Sequence, residues 1–164
     1  MVNVCMEIET TRDIARQILR HRSFSFQEFS QRYAVADSFS IRQCRMQDEK
    51  NRQNSIEIDP LKSDEDRYLA TWWDGVQNRL LKEAEFLYQA ALNKGVAKEV
   101  ARSLLPEGLT SSRMYMNGTL RSWIHYVQIR CDKATQKEHR EVAEQCRDII
   151  YGVCPSIKEV LDGV

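Results

Sequence analysis

Apolar residues at alternate positions predict a β-strand at the start of the chain, over residues 1–8. Its apolar face carries Val2, Val4, Met6 and Ile8. Thr10 or Thr11 can then cap a helix, which we expect to run to about Arg22. Beyond that helix the pattern weakens. It predicts a connection over residues 23–33, a strand around residues 38–46 and a polar surface loop over residues 47–62.

The clearest helical pattern opens at Ser63 and closes at Gly95. Ser63 is followed by three acidic residues, a typical capping start, and glycine is common just past a helix end. Apolar side chains recur between these two residues at steps of three and four, namely Leu69, Trp72, Trp73, Val76, Leu80, Ala84, Leu87 and Ala91. We interpret the two tryptophans as core residues and not as a binding platform.

The last third of the chain predicts three helices and one extended segment. These are a short helix over residues 97–105, an extended segment over 109–117, and helices over 119–131 and 135–151. His139 falls on the apolar stripe of the last helix, which favours a hydrogen-bonded core histidine. Together the elements predict one α+β domain over residues 1–164, with helices packed on a small, mostly antiparallel sheet.

The charges balance at 24 basic against 24 acidic side chains, so no global field holds the chain on DNA or on a membrane. Arginine nevertheless outnumbers lysine by 16 to 8, with a cluster in residues 12–52. Its planar fork suits phosphates and pyrimidine edges, which indicates anionic small molecules or nucleic acid. Five cysteines without a CxxC pair favour a reducing cytosol over a disulfide framework. Without a membrane-length apolar run or a signal peptide, we expect a cytoplasmic protein.

The densest group of chemically useful side chains begins at Gln17, Arg20 and His21, which share one face of the predicted first helix. Glu28, several hydroxyls and Arg32 follow closely. Such an inventory can contact a phosphate, a ribose and a base edge together. The simpler alternative is a solvated helix end whose cations complement the helix dipole.

Three blocks of the sequence resemble one known family. Residues 20–33, RHRSFSFQEFSQRY, resemble the signature of the flavin-dependent thymidylate synthases, an RHR triplet followed by spaced Ser, Glu, Ser, Arg and Tyr. Residues 98–106, KEVARSLLP, resemble the family's short helix, and residues 118–140 resemble its C-terminal block. Because the blocks keep the family's order and approximate distances, the resemblance covers nearly the whole chain.

The resemblance implies roles for individual residues. It implies contacts to dUMP for Gln17, Arg20, Glu28, Ser30, Gln31, Arg32, Arg102 and Arg130, with Arg102 reaching the dUMP of a neighbouring subunit. It implies contacts to FAD for Arg20, His21, Arg22, Glu28, Arg121 and His125. Arg130 is implied as the catalytic residue, the arginine that polarises the uracil ring near N3.

These residue types suit the implied chemistry. Methylation at C5 of uracil builds negative charge on the ring's amide oxygens, and a preplaced guanidinium such as Arg130 stabilises it. Because reduced flavin carries the carbon and hydride chemistry, no protein nucleophile is needed, and we interpret Ser30 as a hydrogen-bonding contact. Arg121 and His125 share a helix face, whereas Arg130 lies about half a revolution away, past the helix end or on another wall of the site. Three histidines without close carboxylates predict no metal site.

The implied activity is the reductive methylation of dUMP to dTMP, with methylenetetrahydrofolate as carbon donor, FAD as carrier and NADPH as reductant. The implied assembly is a homotetramer with sites shared between subunits. The family's usual N-terminal flavin contacts would precede Met1, so we expect a shortened or split synthase. Gln31, Thr119 and His125 stand where the family often has glycine, asparagine and asparagine. The rival hypotheses are a nucleotide-binding remnant without catalytic flavin and, more distantly, an arginine-rich nucleic-acid-binding module.

Overall fold

The computed structural model describes residues 2–30, 38–52 and 54–158. Its strands are β1 (Asn3–Thr11), β2 (Ser25–Glu28), β3 (Arg45–Gln47), β4 (Ser55–Glu57) and β5 (Ser111–Thr119). Its helices are α1 (Arg12–Ile18), α2 (Asp64–Asn93), α3 (Lys98–Ala101), α4 (Leu120–Arg130) and α5 (Lys137–Val153). This confirms the α+β class. No helix in the described ranges combines the length and the apolarity needed to cross a membrane.

The chain divides into two compact units. Unit 1 comprises Met1–Thr10, Ile14–Glu28 and Arg113–Val164, and unit 2 comprises Thr11–Asp13 and Phe29–Ser112. A three-stranded sheet of order β1-β5-β2 belongs mainly to unit 1. Within it β2 runs antiparallel to β5, with Phe26 opposite Met116 and Glu28 opposite Met114. Along β1 the predicted alternation is confirmed at Met6 and Ile8, which are buried, whereas Val2 is exposed.

The core of unit 1 joins this sheet to α1, α4 and α5. Its buried members include Ile14 and Ile18 of α1, Met114 and Met116 of β5, Trp123 and Tyr126 of α4, and His139, Ala143, Cys146 and Ile150 of α5. The Trp123 indole N–H donates to the carbonyl of Val4 over 3.0 Å, so this large ring is buried without losing a hydrogen bond. The apolar stripe predicted for α5 is confirmed at its centre, while Ile149 remains exposed.

A close approach between Phe24 and Gly118 completes that core. The Phe24 ring stands edge-on to Trp123, with centroids 4.9 Å apart. A Cβ atom at Gly118 would lie 2.5 Å from Cδ1 of Phe24, a separation that real Cβ contacts do not show. The missing side chain of Gly118 therefore leaves the space that the Phe24 ring fills.

In unit 2, the long helix α2 confirms the predicted start and end. Ser63 accepts a hydrogen bond from the backbone N–H of Asp66, and Gly95 has a φ of +82°, which glycine tolerates best. The interpretation of the tryptophans as core is wrong for Trp72, which is 50% exposed. The side chains that α2 buries are those of Gln77, Ala84 and Tyr88. Unit 2 therefore covers only part of the apolar face of α2, and the rest of that face stays exposed.

Arg42 is the polar centre of unit 2. Its guanidinium donates to Thr11, to Asp13 over 2.8 Å and to the carbonyl of Gly108 over 3.2 Å. Its backbone N–H donates to Oε1 of Gln77 over 2.7 Å, and its carbonyl accepts from Gln77 Nε2 over 2.9 Å. These bonds explain why a glutamine is buried on α2, where the apolar pattern alone leaves it unexplained.

Four sequence predictions are corrected between residues 12 and 62. Helix α1 ends at Ile18 instead of Arg22, because the N–H groups of Arg20 and His21 bond to the carbonyls of Gln17 and Ile18 in tight turns. Strand β2 forms inside the predicted connection 23–33. The local pattern did not show it, because its partner β5 is 86 residues or more away in the sequence. Of the strand expected around residues 38–46 only β3 and a bridge at Phe39 form, and β4 pairs with β3 inside the predicted loop 47–62.

Candidate functional site

Two of the predicted site residues make a direct contact in unit 1, although 109 positions separate them. Nε of Arg130 donates to Nε2 of His21 over 2.9 Å. Arg130 belongs to the last turn of α4, and His21 lies in the turn that follows α1. Arg130 is thus the last residue of α4 and does not lie past the helix end, while the wall of the site that it serves stays a prediction. The contact leaves the two Nη groups of Arg130 for other partners.

The half-buried His21 ring contacts two other rings. It stands edge-on to Tyr126, with centroids 4.9 Å apart, and edge-on to His139 at 6.2 Å. Burial, the cationic Arg130 and the nearby His125 lower the pKa of His21 to about 4. His21 is therefore neutral at pH 7, and a neutral ring that accepts at Nε2 carries its proton on Nδ1.

Gln17 lies beside a second buried histidine. Its Oε1 is 3.4 Å from Nδ1 of His139, and its Nε2 donates to Oε1 of Gln136 over 2.8 Å. His139 is 0% exposed, and its Nε2 is 3.2 Å from the hydroxyl of Tyr126. The prediction of a hydrogen-bonded core histidine is thus confirmed. Burial, Arg130 and His21 lower the pKa of His139 to about 4, and burial raises the pKa of Tyr126, so both are neutral at pH 7.

Four other predicted cofactor contacts of unit 1 face solvent. They are Arg20, Arg22, Arg121 and His125. Within the described part of the chain, the guanidinium groups of Arg20, Arg22 and Arg121 make no hydrogen bond or ion pair. Because α4 begins at Leu120 and continues to Arg130, Arg121 and His125 lie on one helix, as predicted. Exposed cations of this kind are available to an anionic ligand.

The remaining predicted residues occupy other places. Glu28 is half-buried at the end of β2 in unit 1. Ser30 and Arg102 are half-buried in unit 2, where Nε of Arg102 donates to the carbonyl of Glu99 over 3.3 Å. Gln31 and Arg32 lie outside the described residues. The structure leaves their predicted contacts as predictions.

Sequence reasoning did not assign Tyr126 or Gln136 to the site, and it assigned His139 to the core alone. The sequence could have indicated Tyr126, because it lies four residues before Arg130 on α4 and thus on the same side of that helix. Nothing in the sequence linked Gln136 to Gln17. No cluster of three or more His, Cys, Asp or Glu side chains placed to hold a metal ion occurs in the ranges that the structure describes.

A family model and individual known proteins match nearly the whole chain, and they indicate the same family. The family model described as thymidylate synthase complementing protein, Thy1, matches residues 1–156. A protein of Synechocystis sp. named "Flavin-dependent thymidylate synthase" is 49% identical over 162 residues, which cover 99% of this chain and 72% of that protein. A protein of Paramecium bursaria Chlorella virus 1 named "Probable flavin-dependent thymidylate synthase" is 48% identical over 160 residues, 97% of this chain and 71% of that protein.

A solved structure has the same fold. The crystal structure of a UMP/dUMP methylase PolB from Streptomyces cacaoi, bound with 5-Br dUMP, matches with a TM-score of 0.81 at 24% sequence identity. The match covers 98% of this chain and 72% of that one. Since the Thy1 model matches nearly all of the chain, and relatives with about half of their residues identical carry the same family name, this protein belongs to the Thy1 family of flavin-dependent thymidylate synthases.

Proposed function

We propose that this protein methylates dUMP to dTMP. Methylenetetrahydrofolate donates the carbon, NADPH supplies the reducing electrons, and FAD is the flavin. The observation that carries the proposal is the 49% identity to a curated flavin-dependent thymidylate synthase over 99% of the chain. In the net reaction the C5 hydrogen of uracil leaves as a proton and a methyl group takes its place, while NADPH is oxidised and tetrahydrofolate is released.

The contact between Arg130 and His21 supports the proposed catalytic role of Arg130. Negative charge develops on the amide oxygens of uracil as electron density moves onto C5, and a fixed guanidinium stabilises that charge without reorganising. Its Nε hydrogen bond to His21 restricts the rotation of the guanidinium. A neutral His21 is required for this bond, since a protonated ring has no lone pair to accept it and would repel Arg130.

The donor set of unit 1 fits a flavin nucleotide. Arg20, Arg22 and Arg121 present exposed guanidinium groups, and neutral His21 retains an Nδ1–H donor. Cationic forks bind the pyrophosphate of a dinucleotide well, and imidazole N–H groups suit the carbonyls of a flavin ring. When bound, the reduced flavin supplies the hydride chemistry that these side chains lack. Glu28 and His125 complete the proposed flavin contacts, and Gln17, Ser30, Gln31, Arg32 and Arg102 complete those to dUMP.

We further propose a homotetramer. Large apolar side chains of α2 in unit 2 remain exposed, with Tyr68 at 74%, Phe86 at 68% and Trp72 at 50%. Leu80 and Leu87 follow on the same side of the helix. Monomeric proteins seldom expose an apolar stripe of this length, which supports its burial between subunits. Light scattering behind a sizing column measures the mass directly, and a 19.2 kDa particle contradicts the tetramer.

The activity is tested with the purified chain and added FAD. We expect the visible absorbance of bound flavin, dUMP-dependent oxidation of NADPH, and release of tritium from 5-tritiated dUMP only when methylenetetrahydrofolate is present. An Arg130→Lys variant keeps the charge but loses the planar fork and its Nε donor, so we expect kcat to fall about 100-fold. Protein that binds neither flavin nor dUMP contradicts the proposal.

A further inference from the structure

A chain of hydrogen bonds in unit 1 connects the buried hydroxyl of Tyr126 with the carboxylate of Glu138. Its links are Tyr126 to His139 at 3.2 Å, His139 to Gln17 at 3.4 Å, Gln17 to Gln136 at 2.8 Å and Gln136 to Glu138 at 3.1 Å. The chain reaches from the core of α4 to the first turn of α5. Gln17, its middle member, is a proposed dUMP contact.

The carboxylate of Glu138 sets the direction of every donor in this chain. An ionised carboxylate only accepts, so Gln136 must present its Nε2 to Glu138 and its Oε1 to Gln17. Gln17 must then present Nε2 to Gln136 and Oε1 to His139. It follows that Nδ1 of His139 carries the proton and that Nε2 accepts from the Tyr126 hydroxyl.

We propose that His139 and Tyr126 are positioning residues, which hold the side-chain amide of Gln17 in one orientation toward the nucleotide. The proposal rests on the proposed function, because it takes dUMP as the ligand of Gln17. An amide can rotate by half a turn at little cost where its partners allow it. Here the His139 Nδ1–H on one side and Gln136 Oε1 on the other disfavour the rotated form, which would place N–H against N–H and oxygen against oxygen.

The fixed amide has a defined capacity left for a ligand. Two hydrogen bonds use one of its two N–H groups and one lone pair of its oxygen. The remaining N–H can donate to a carbonyl or phosphate oxygen of the nucleotide. A rotated amide would offer a lone pair at that position and repel the same oxygen. The orientation therefore affects dUMP binding directly, although neither His139 nor Tyr126 needs to touch dUMP.

Tyr126 and His139 are suited to this role because both are neutral and fully buried. The lowered pKa of His139 keeps the ring uncharged at pH 7, so it has one donor and one acceptor nitrogen. The Tyr126 hydroxyl donates to Nε2 and thereby stabilises the tautomer that the direction of the chain requires. The 3.4 Å separation between His139 and Gln17 is the longest in the chain, so we expect this link to be lost first when the Tyr126 hydroxyl is removed.

The first test reads the tautomer of His139 without any ligand. The chain has only three histidines, so ring-nitrogen NMR of histidine-labelled protein resolves each, with His21→Gln and His125→Gln variants giving the assignments. We expect His139 with its proton on Nδ1 in the wild type, and a mixture of tautomers in Tyr126→Phe and in Glu138→Gln. A wild-type His139 protonated on Nε2, or an unchanged spectrum in Tyr126→Phe, would overturn the proposal.

The second test measures dUMP binding and turnover. Tyr126→Phe keeps the ring and loses only the hydroxyl, and we expect the KM for dUMP to rise about five-fold with kcat within two-fold, the size of one neutral hydrogen bond. Tyr151→Phe on α5 is the matched control, for which we expect no change. His139→Leu should raise the KM more, and His139→Asn, which restores an N–H donor, should recover part of the loss.

The two levels of failure are separable. If wild-type protein binds no dUMP in calorimetry, the proposed function is wrong, while the NMR spectrum still decides the direction of the hydrogen-bond chain. If dUMP binds and Tyr126→Phe leaves the KM unchanged, the positioning role is wrong and the proposed function stands. If His139→Leu does not fold, Tyr126→Phe and Glu138→Gln still decide the outcome.

Discussion

The two units of this protein are stabilised in different ways. Unit 1 has a continuous core of aromatic and aliphatic side chains, with Trp123 and Tyr126 fully buried at its centre. In unit 2 the buried apolar cluster is small, formed around Tyr88, Ala101 and Leu105, and Arg42 links several segments by hydrogen bonds. Unit 1 therefore buries a large apolar core within one chain, whereas α2 keeps several of its large apolar side chains exposed, a surface suited to a partner.

The sharpest test of this difference compares two tryptophans. Trp123→Ala should lower the free energy of unfolding by about 3–5 kcal/mol, because it leaves a cavity in a close-packed core. Trp72→Ala should lower it by less than about 1 kcal/mol in the isolated chain, since half of that side chain is already exposed. Urea unfolding of both variants at one protein concentration measures the difference. Equal effects would contradict the contrast between the units.

The packing of unit 1 can also be tested by adding atoms. Gly118→Ala places a methyl group against the Phe24 ring, which is held by Trp123 and Tyr126 and has little room to move. We expect a loss of about 2 kcal/mol, typical of overpacking in a rigid core. Gly75→Ala, at a helical glycine with open space around it, is the matched control and should be neutral or slightly stabilising. Thermal unfolding of the two variants distinguishes these outcomes.

In unit 2 the expected weak point is polar. Arg42→Met keeps a long side chain but removes the bonds to Thr11, Asp13 and Gly108, and we expect a loss of about 1–2 kcal/mol. Hydrogen exchange should increase within residues 38–112 and remain unchanged around Trp123. Arg113→Met, which breaks exposed ion pairs in unit 1, should leave the free energy of unfolding nearly unchanged, because solvent screens such pairs. Faster exchange throughout unit 1 in Arg42→Met would contradict the prediction that losing the Arg42 bonds destabilises unit 2 alone.

The smallest expected effect is the loss of unfolding free energy in mild acid. It should come from unit 1, which holds all three histidines. In the folded protein the pKa of His139 is about 4, below the 6.5 of the unfolded chain, so the unfolded chain takes up the proton first. Neutral His139 therefore contributes to the free energy of unfolding in full above pH 6.5, and this contribution is lost as the pH falls toward 4. When the pH is lowered from 6.5 to 5, the free energy of unfolding should fall by about 1 kcal/mol less in His139→Asn than in the wild type. An identical pH profile in the variant would contradict it.

Much of the architecture could be predicted from local pattern. Helix α2 was predicted at both ends from Ser63 and Gly95, and the buried stripe of α5 was predicted through His139, because caps and the helical period depend on nearby residues alone. The three blocks of resemblance likewise indicated the family. For the candidate site, the sequence supplied the residue types and the expectation that Arg130 and His21 act in one site.

Other features depend on contacts between distant segments. Strand β2 forms because β5 pairs with it, and α1 ends early where the chain turns and His21 packs against Tyr126 and His139. The period of α2 indicated an apolar face but not what covers it, so Trp72 was misassigned.

The helices with strong caps and periods, the α+β class and the family all follow from the order of the residues alone. The hydrogen bond from Arg130 to His21, and the chain that joins Tyr126, His139 and Gln17, became visible only in the folded chain. The physical reason is the range of the interactions. Capping and helical periodicity act over a few residues, whereas these hydrogen bonds depend on how α1, α4 and α5 pack around a shared core.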